Sequence, residues 1–387
     1  MQLYIHIPFC RKKCRYCDFA SYPGREADMP GYLDALLREA VMQAEILGRP
    51  TVETVFIGGG TPSLLPPNSL ARLLREARRL FAISPDAEIT SEANPGAITP
   101  EWLTAATEGG VNRLSLGMQA VQPDLLRTLG RIHTAEETTA SVRMARAHGI
   151  RNISLDLMFG LPGQTLDQWR ETLNAALALE PQHLSCYGLI PEEGTPLYHD
   201  LIAGHLTLPD DGAERAMYDE ALTLLERHGF RQYEISNFAL PGFACRHNLG
   251  YWLQMPYLGL GASAASCLPD AGHPHSAYVR TANPAGLDAY LDMVTQQNWS
   301  LRETTPISPT EARFETLMLG LRTAQGISEK DFLLSYGVSL SECYGAKLSM
   351  FRDQGLLIDE NGHWRLTRRG MNVQNAILVE LMDDKAD

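Results

Sequence analysis

Apolar residues in this chain fall into short alternating runs separated by longer stretches of helical period. Leu3, Ile5 and Ile7 alternate with Tyr4 and His6. Leu114, Leu116 and Met118 alternate with Ser115, Gly117 and Gln119, and Ile153, Leu155 and Leu157 with Ser154 and Asp156. Period-two alternation puts the two sets on opposite faces of a strand. Over residues 30–47, Leu33, Leu36, Leu37, Val41 and Leu47 repeat at helical spacing. The pattern continues with strand 54–57, helix 69–81, strand 88–92 and a helix opened by Pro100, whose ring suits a first turn. Strand Arg113–Gln119, helix 134–148, strand 153–158, helix 167–179 and strand 183–187 follow. This βαβα order predicts an α/β fold with a parallel sheet covered by helices. Six such units before residue 190 predict an incomplete or full parallel β/α barrel. The apolar strand faces must pack on the helices, so the polar faces look inward. A filled barrel interior would be apolar; this one is expected to be wet or to hold a ligand.

After residue 190 the pattern changes. Helix 210–228, strand 232–236 and a small, Gly-rich stretch at 258–267 read as an extension of the barrel. Helices 311–322, 328–336 and 341–354 then precede a hairpin, 356–358 and 364–366, turned at Asn361-Gly362. That order is winged-helix-like and reads as a packing or docking module. Three units are expected: a barrel core at 1–190, an extension at 191–305 and a C-terminal helical, winged-helix-like domain at 306–387.

Composition narrows the picture. The 387 residues exceed one ordinary domain, and 44% apolar with 20% charged residues is a globular balance. A net charge of −13 weighs against nucleic acid as a partner, and Arg365, Arg368 and Arg369 stand among too many acids to read as a DNA-binding wing. Residues 1–6 do not have the basic-then-apolar character of a signal peptide, and no apolar run reaches membrane-spanning length. The expected location is the cytoplasm, with peripheral membrane association left open.

Of seven cysteines, Cys10, Cys14 and Cys17 lie within eight residues, while Cys186, Cys245, Cys267 and Cys343 are scattered. In a reducing compartment this reads as a metal site plus single thiols. The close trio follows the first strand, where a barrel's active-site loops emerge, and thiolates on one loop can wrap one iron–sulfur cluster. Three ligands for four irons leave one iron open, the mark of a chemical rather than a structural site. Arg11, Lys12, Lys13 and Arg15 are expected to lower the thiol pKa values. Residue types alone leave two alternatives, a zinc site with His6 as fourth ligand and three incidental thiols. Gly58-Gly59-Gly60 alone could be a tight strand-to-helix turn, Asp156 a satisfied interior acid, and Arg131 a solvated helix end.

Cys-x3-Cys-x2-Cys after a first strand resembles the signature of the radical S-adenosylmethionine family, and Gly58-Gly59-Gly60-Thr61-Pro62 resembles that family's glycine motif. The likeness extends to residues 4–10, Glu92-x-Asn94-Pro95, Arg113-Leu114-Ser115-x-Gly117-x-Gln119, Gly130-Arg131-x-His133 and Asp156-x-x-x-Gly160-Leu161-Pro162-Gly163-Gln164-Thr165. Together these resemble the oxygen-independent coproporphyrinogen III oxidase-like group over residues 3–270, and into the C-terminal unit. The resemblance implies a [4Fe-4S] cluster on Cys10, Cys14 and Cys17 with S-adenosylmethionine at the open iron. It implies cofactor contacts from Tyr4, Tyr16, Gly59, Gly60, Thr61, Glu92, Gln119, Arg131 and Asp156. An arginine can form a charge-assisted bond to the cofactor's carboxylate, and Asp156 can accept from ribose hydroxyls.

The group has two branches, an enzyme that makes two vinyl groups on coproporphyrinogen and a heme chaperone. The enzyme's loop resembles Cys-x3-Cys-x2-Cys-x-Cys, but Phe19 stands at the last position here. Cys14-Arg15-Tyr16-Cys17-Asp18-Phe19 resembles the chaperone loop, as His247-Asn248-Leu249-Gly250-Tyr251-Trp252 resembles its His-Asn-x-x-Tyr-Trp motif. The enzyme also carries a longer stretch before its first strand. The chaperone likeness implies heme as cargo and acceptor hemoproteins, such as respiratory-chain proteins, as partners. An imidazole is a good axial heme ligand, and Tyr251 and Trp252 offer flat faces to a macrocycle. Residue types alone favour a His247 that only hydrogen-bonds a loop with the aromatics in the core, so heme contact is what the resemblance implies, and Cys245 is a second candidate ligand. His199, His205, His228, His273 and His275 read as ordinary surface or packing residues. The remaining alternatives are a true coproporphyrinogen III dehydrogenase, acting by radical oxidative decarboxylation, and a radical enzyme on an unrelated substrate. No residue is assigned a catalytic role.

Overall fold

The computed structural model describes residues 1–270 and 277–382; His273, His275 and the last five positions of the C-terminal unit lie outside the described residues. Six strands, β1 (Gln2–Ile7), β2 (Thr51–Gly59), β3 (Ala82–Ala93), β4 (Arg113–Gln119), β5 (Asn152–Phe159) and β6 (His183–Gly188), lie side by side in chain order. Each pairs in parallel with the next. A short hairpin, β7 (Arg231–Gln232) and β8 (Asn237–Ala239), adds antiparallel to β6. On the other flank β9 (Tyr257–Leu260) runs parallel to β1. Antiparallel β10 (Ala265–Pro269), β11 (Tyr278–Ala282) and β12 (Glu303–Ile307) then complete a 12-stranded sheet. The sheet ends at β12 and β7, so the barrel is incomplete.

The crossover helices form where their sequences demand it. In Pro67–Leu80, Leu70, Leu73, Leu74, Ala77 and Leu80 are buried on one stripe while Arg75 and Arg79 face water. Thr134 and Thr165 close capping boxes with Glu137 and Gln168, which fixes the starts of Ala135–Ala147 and Leu166–Ala178. The apolar strand faces pack on these helices: Leu3, Ile5, Leu114, Leu116, Ile153 and Leu155 belong to the main core. No helix among the described residues is long and apolar enough to cross a membrane.

One buried network ties the first helix, Met29–Ile46, to the extension. Glu39 is fully buried and pairs with Arg302 at 2.6 Å. Its carboxylate also accepts from Tyr290 Oη and Asn283 Nδ2, both at 2.7 Å, and from the Gly261 amide at 2.8 Å. Tyr32 Oη receives the next amide, Ala262, and donates to the carbonyl of His6. The turn after β9 is thereby held against the end of β1.

Residues 232–236 are not the single strand expected from their composition. The Glu234 carboxylate accepts from the Ser236 amide at 3.3 Å and from Asn237 Nδ2, and the chain turns before pairing resumes at Asn237. A local side-chain acceptor has outcompeted the ladder. The Gly-rich stretch 258–267 folds as two strands, β9 and β10. The C-terminal unit contains helices Pro309–Gly320, Glu329–Tyr336 and Leu340–Asp353. A small sheet, β13 (Ile327–Ser328), β14 (Leu357–Glu360) and β15 (His363–Leu366), follows a winged-helix-like order with β15 central. Its own core includes Leu317, Phe332, Leu348, Phe351 and Trp364. Asn361 and Gly362 both have positive φ, 57° and 80°, as a two-residue hairpin turn requires. Two further helices, Arg368–Asn372 and Gln374–Met382, were not legible in the sequence pattern.

Candidate functional site

The polar strand faces enclose one cavity of about 510 Å³, in the size range of small-molecule sites. Tyr4, Glu92, Ser115, Asp156 and Ser185 line it from five of the six parallel strands. The alternation legible in β1, β4 and β5 therefore sorts core from cavity as expected. Twelve of the thirteen candidate residues line this cavity; Thr61 lines an adjoining pocket of about 130 Å³.

Cys10 ends a two-residue segment paired with Tyr22–Pro23, and the loop between carries Cys14 and Cys17. All three thiols are free and face the cavity. Burial raises the pKa of Cys10 and of Cys17, contrary to the expectation from the neighbouring cations. Burial outweighs the cations: the charge of Lys13 does act to lower the Cys17 pKa, but its Nζ donates to the Phe19 carbonyl at 2.9 Å, and Arg15 pairs with Asp200. His6 is committed as well. Its Nε2 donates to the Ala20 carbonyl at 2.8 Å, which leaves Nδ1 to accept from Tyr4 Oη at 2.9 Å. Among the described residues, no three His, Cys, Asp or Glu side chains gather closely enough to hold a single metal ion. Three cavity-facing thiols without a fourth donor fit a thiolate-held cluster better than a lone zinc, because a cluster spreads its ligands over several irons.

The glycine loop packs directly on this cysteine loop. At Gly59 (φ 110°) a Cβ would lie 2.4 Å from the His6 ring, and at Gly60 it would lie 2.6 Å from the Phe9 carbonyl oxygen. Only glycine permits both approaches. Thr61 Oγ1 sits 3.4 Å from Cys10 Sγ and accepts from Asn94 Nδ2 at 2.9 Å. Arg131 donates to Asn94 Oδ1 at 2.8 Å and to the Gly117 carbonyl at 2.6 Å, and reaches within 3.5 Å of Cys14 Sγ. The register of β4 on β5 slips before Gln119, whose φ is 62°. Such an irregularity re-aims a side chain, and Gln119 faces the cavity.

Two carboxyls share the interior. Asp156 accepts from Ser115 Oγ at 3.1 Å through both oxygens, and burial raises its pKa. Burial, and then the charge of Asp156, push the Glu92 carboxyl up to about 7, although the Gly59 amide donates to it at 3.0 Å. The folded chain thus binds this proton more tightly than the unfolded chain. Glu92 therefore destabilises the fold progressively as pH rises from 4.5 to about 7. The full difference is on the order of 3 kcal/mol. Glu92→Gln is expected to flatten that slope and to stabilise the apo chain at pH 8. Urea unfolding across the window checks this, and an unchanged slope in the variant contradicts it.

His247 lies in the short helix Arg246–Trp252 and is 2% exposed. Its Nδ1 is 2.8 Å from Thr54 Oγ1 and its Nε2 3.0 Å from Tyr251 Oη. The ring stacks on Phe56 at 5.1 Å. Burial, and then the charge of Arg113, lower its pKa to about 3, so the imidazole is neutral. His247, Asn248 and Tyr251 line the same cavity as the three thiols; Trp252 does not. Cys245 also lines it, with its thiol pushed up to about 12 chiefly by burial.

Sequence reasoning missed Arg113, His183, Tyr233 and Asn237 on the cavity wall. Alternation carried two residues back from Ser115, or from Ser185, would have placed Arg113 and His183 on the inward face. Tyr233 and Asn237 arrive through the hairpin turn, and no local period marks them.

Residues 4–176 match the Radical SAM superfamily and residues 307–373 match the HemN C-terminal domain. The heme chaperone HemW of Bacillus subtilis is 39% identical over 375 residues, which cover 97% of each chain. The mitochondrial radical S-adenosyl methionine domain-containing protein 1 of Bos taurus is 35% identical over 98% of this chain and 87% of its own. The coproporphyrinogen III oxidase HemN of Escherichia coli, described as a radical SAM enzyme, superposes with a TM-score of 0.84 over 98% of this chain and 89% of its own. At 24% identity, that superposition establishes the shared fold.

Proposed function

We propose a heme-carrying function for this chain, which belongs to the radical SAM superfamily and, within it, to the coproporphyrinogen III oxidase-like group. The proposal is a heme chaperone that holds a [4Fe-4S] cluster, S-adenosylmethionine and heme in one cavity and passes heme to acceptor hemoproteins such as respiratory-chain proteins. The observation that carries it is the sharing of that cavity by the cysteine loop and the His247 helix. HemW relatives matched along nearly their whole length support the same reading.

In this reading Cys10, Cys14 and Cys17 hold the cluster. When bound and reduced, the cluster supplies an electron that can open a C–S bond of the sulfonium cofactor. Arg131, already beside Cys14, would bind the cofactor's carboxylate. Asp156 would accept from its ribose hydroxyls, and Tyr4, Tyr16, Gly59, Gly60, Thr61, Glu92 and Gln119 would complete the cradle. His247 is the proposed axial ligand. With Nδ1–H donating to Thr54, Nε2 keeps a lone pair that heme iron can take when the Tyr251 hydroxyl leaves it. The proposed division is a barrel core at 1–190, a heme-holding extension at 191–305 and a C-terminal unit at 306–387. The proposed setting is the cytoplasm, with peripheral contact where acceptors sit at membranes and no role for nucleic acid.

The competing reading is a coproporphyrinogen III dehydrogenase on the same fold, since function lives in the site and not in the fold. Phe19, 62% exposed at the rim of the cavity, disfavours it, because the enzyme's loop resembles one with a cysteine there. Purified, cluster-reconstituted chain is expected to form no vinyl porphyrin from coproporphyrinogen III under anaerobic reducing conditions with S-adenosylmethionine. Catalytic formation of the divinyl product would overturn the chaperone reading.

A further inference from the structure

Arg113 opens β4 at the end opposite Gln119. Six residue steps separate them, about 20 Å along the strand. Arg113 therefore lies deep in the cavity, while the cysteine loop and Arg131 sit toward its mouth. It is 2% exposed, lines the cavity, and has an Nε with no hydrogen-bond partner among the described residues. Burial opposes its charge, and Cys245, Glu88, Tyr233 and Asp156 favour it through space. Both carboxylates are committed elsewhere. Glu88 accepts from the amides of Arg246 and His247 at 3.0 Å, and Asp156 accepts from Ser115. A buried guanidinium without a bonded acceptor is costly, and its planar fork matches a carboxylate. Its charge is also felt at His247.

We infer that Arg113 is the deep anion site of this cavity and binds a carboxylate of the cargo, a propionate of heme. The inference rests on the heme reading above and adds the group that orients the macrocycle. Iron would be held at His247 while one propionate points to the cavity floor, where Tyr233 and Asn248 supply further polar atoms.

The test compares haemin with haemin dimethyl ester, whose propionates are neutral, on the cluster-reconstituted full chain. Wild type is expected to prefer haemin by about 10–100-fold, the worth of a charge-assisted hydrogen bond. Arg113→Gln is expected to lose that preference while still binding the ester, and Arg113→Lys to restore part of it. The ester serves as the internal control for folding. Equal affinity for both ligands in wild type overturns the inference without using a variant. Haemin preference retained in Arg113→Gln also overturns it, and leaves the heme reading standing. Loss of S-adenosylmethionine affinity in Arg113→Gln with haemin preference intact assigns the arginine to the other ligand and likewise overturns it. Wild type that binds neither porphyrin overturns the heme reading, and this inference with it.

Discussion

Replacing Cys14 with alanine is expected to abolish cluster assembly. Iron and sulfide after anaerobic reconstitution should fall from about four of each per chain to near zero, because the proposed cluster would need each thiolate as a ligand. Cys10→Ala and Cys17→Ala should behave alike. Cys343→Ala should reconstitute as wild type, since that half-buried thiol packs against the C-terminal core and is not among the residues lining the cavity. The contrast matters more than the loss. A misfolded chain would lose the cluster from any substitution, whereas a ligand set is lost only from its members. Full reconstitution of Cys14→Ala would contradict the assignment.

The second large effect concerns stability. Glu39→Ala removes the acceptor shared by Arg302, Tyr290, Asn283 and the Gly261 amide. Arg302, 12% exposed, would be left as a nearly buried charge without its partner. Breaking a buried pair from one side costs about 3–5 kcal/mol. Chemical denaturation of the apo chain measures it, and a loss below about 1 kcal/mol contradicts this account of the network. A surface pair offers the control. Arg79→Ala, which breaks an exposed contact with Glu76 at 2.7 Å, should change stability by no more than about 1 kcal/mol.

The fold was legible wherever one short window decides the outcome. Alternation fixed β1, β4 and β5 because the interior is polar, so the two faces of each strand differ in residue type. The helices over 134–148 and 167–179 were legible for the same local reason, and the structure closes their starts with capping boxes at Thr134 and Thr165. The turn at Glu234 was not legible, because it depends on one side chain accepting from the chain two and three residues ahead. The site divides in the same way. The cysteine loop was found because close spacing is written in sequence, whereas the glycine loop, a possible tight turn by itself, entered the site through the family resemblance. The depressed pKa values expected at Cys10 and Cys17 from Arg11, Lys12, Lys13 and Arg15 did not follow, because burial outweighs the charge that reaches these thiols. Arg15 instead meets Asp200, far along the chain. For His247 the residue types favoured loop hydrogen bonding, and ligation came from the family resemblance. The structure brings it to the cavity with both ring nitrogens engaged, so ligation requires Tyr251 to release Nε2.

The central claim is that this cavity carries heme beside the cluster. Its most direct test is an anaerobic haemin titration of the reconstituted full chain, followed at the Soret band, for wild type and His247→Ala. Saturable binding by wild type, with a shifted band and weaker binding in His247→Ala, is the expected result. An unchanged band and affinity in His247→Ala would remove His247 as the ligand. Wild type that shows no saturable binding would contradict the account.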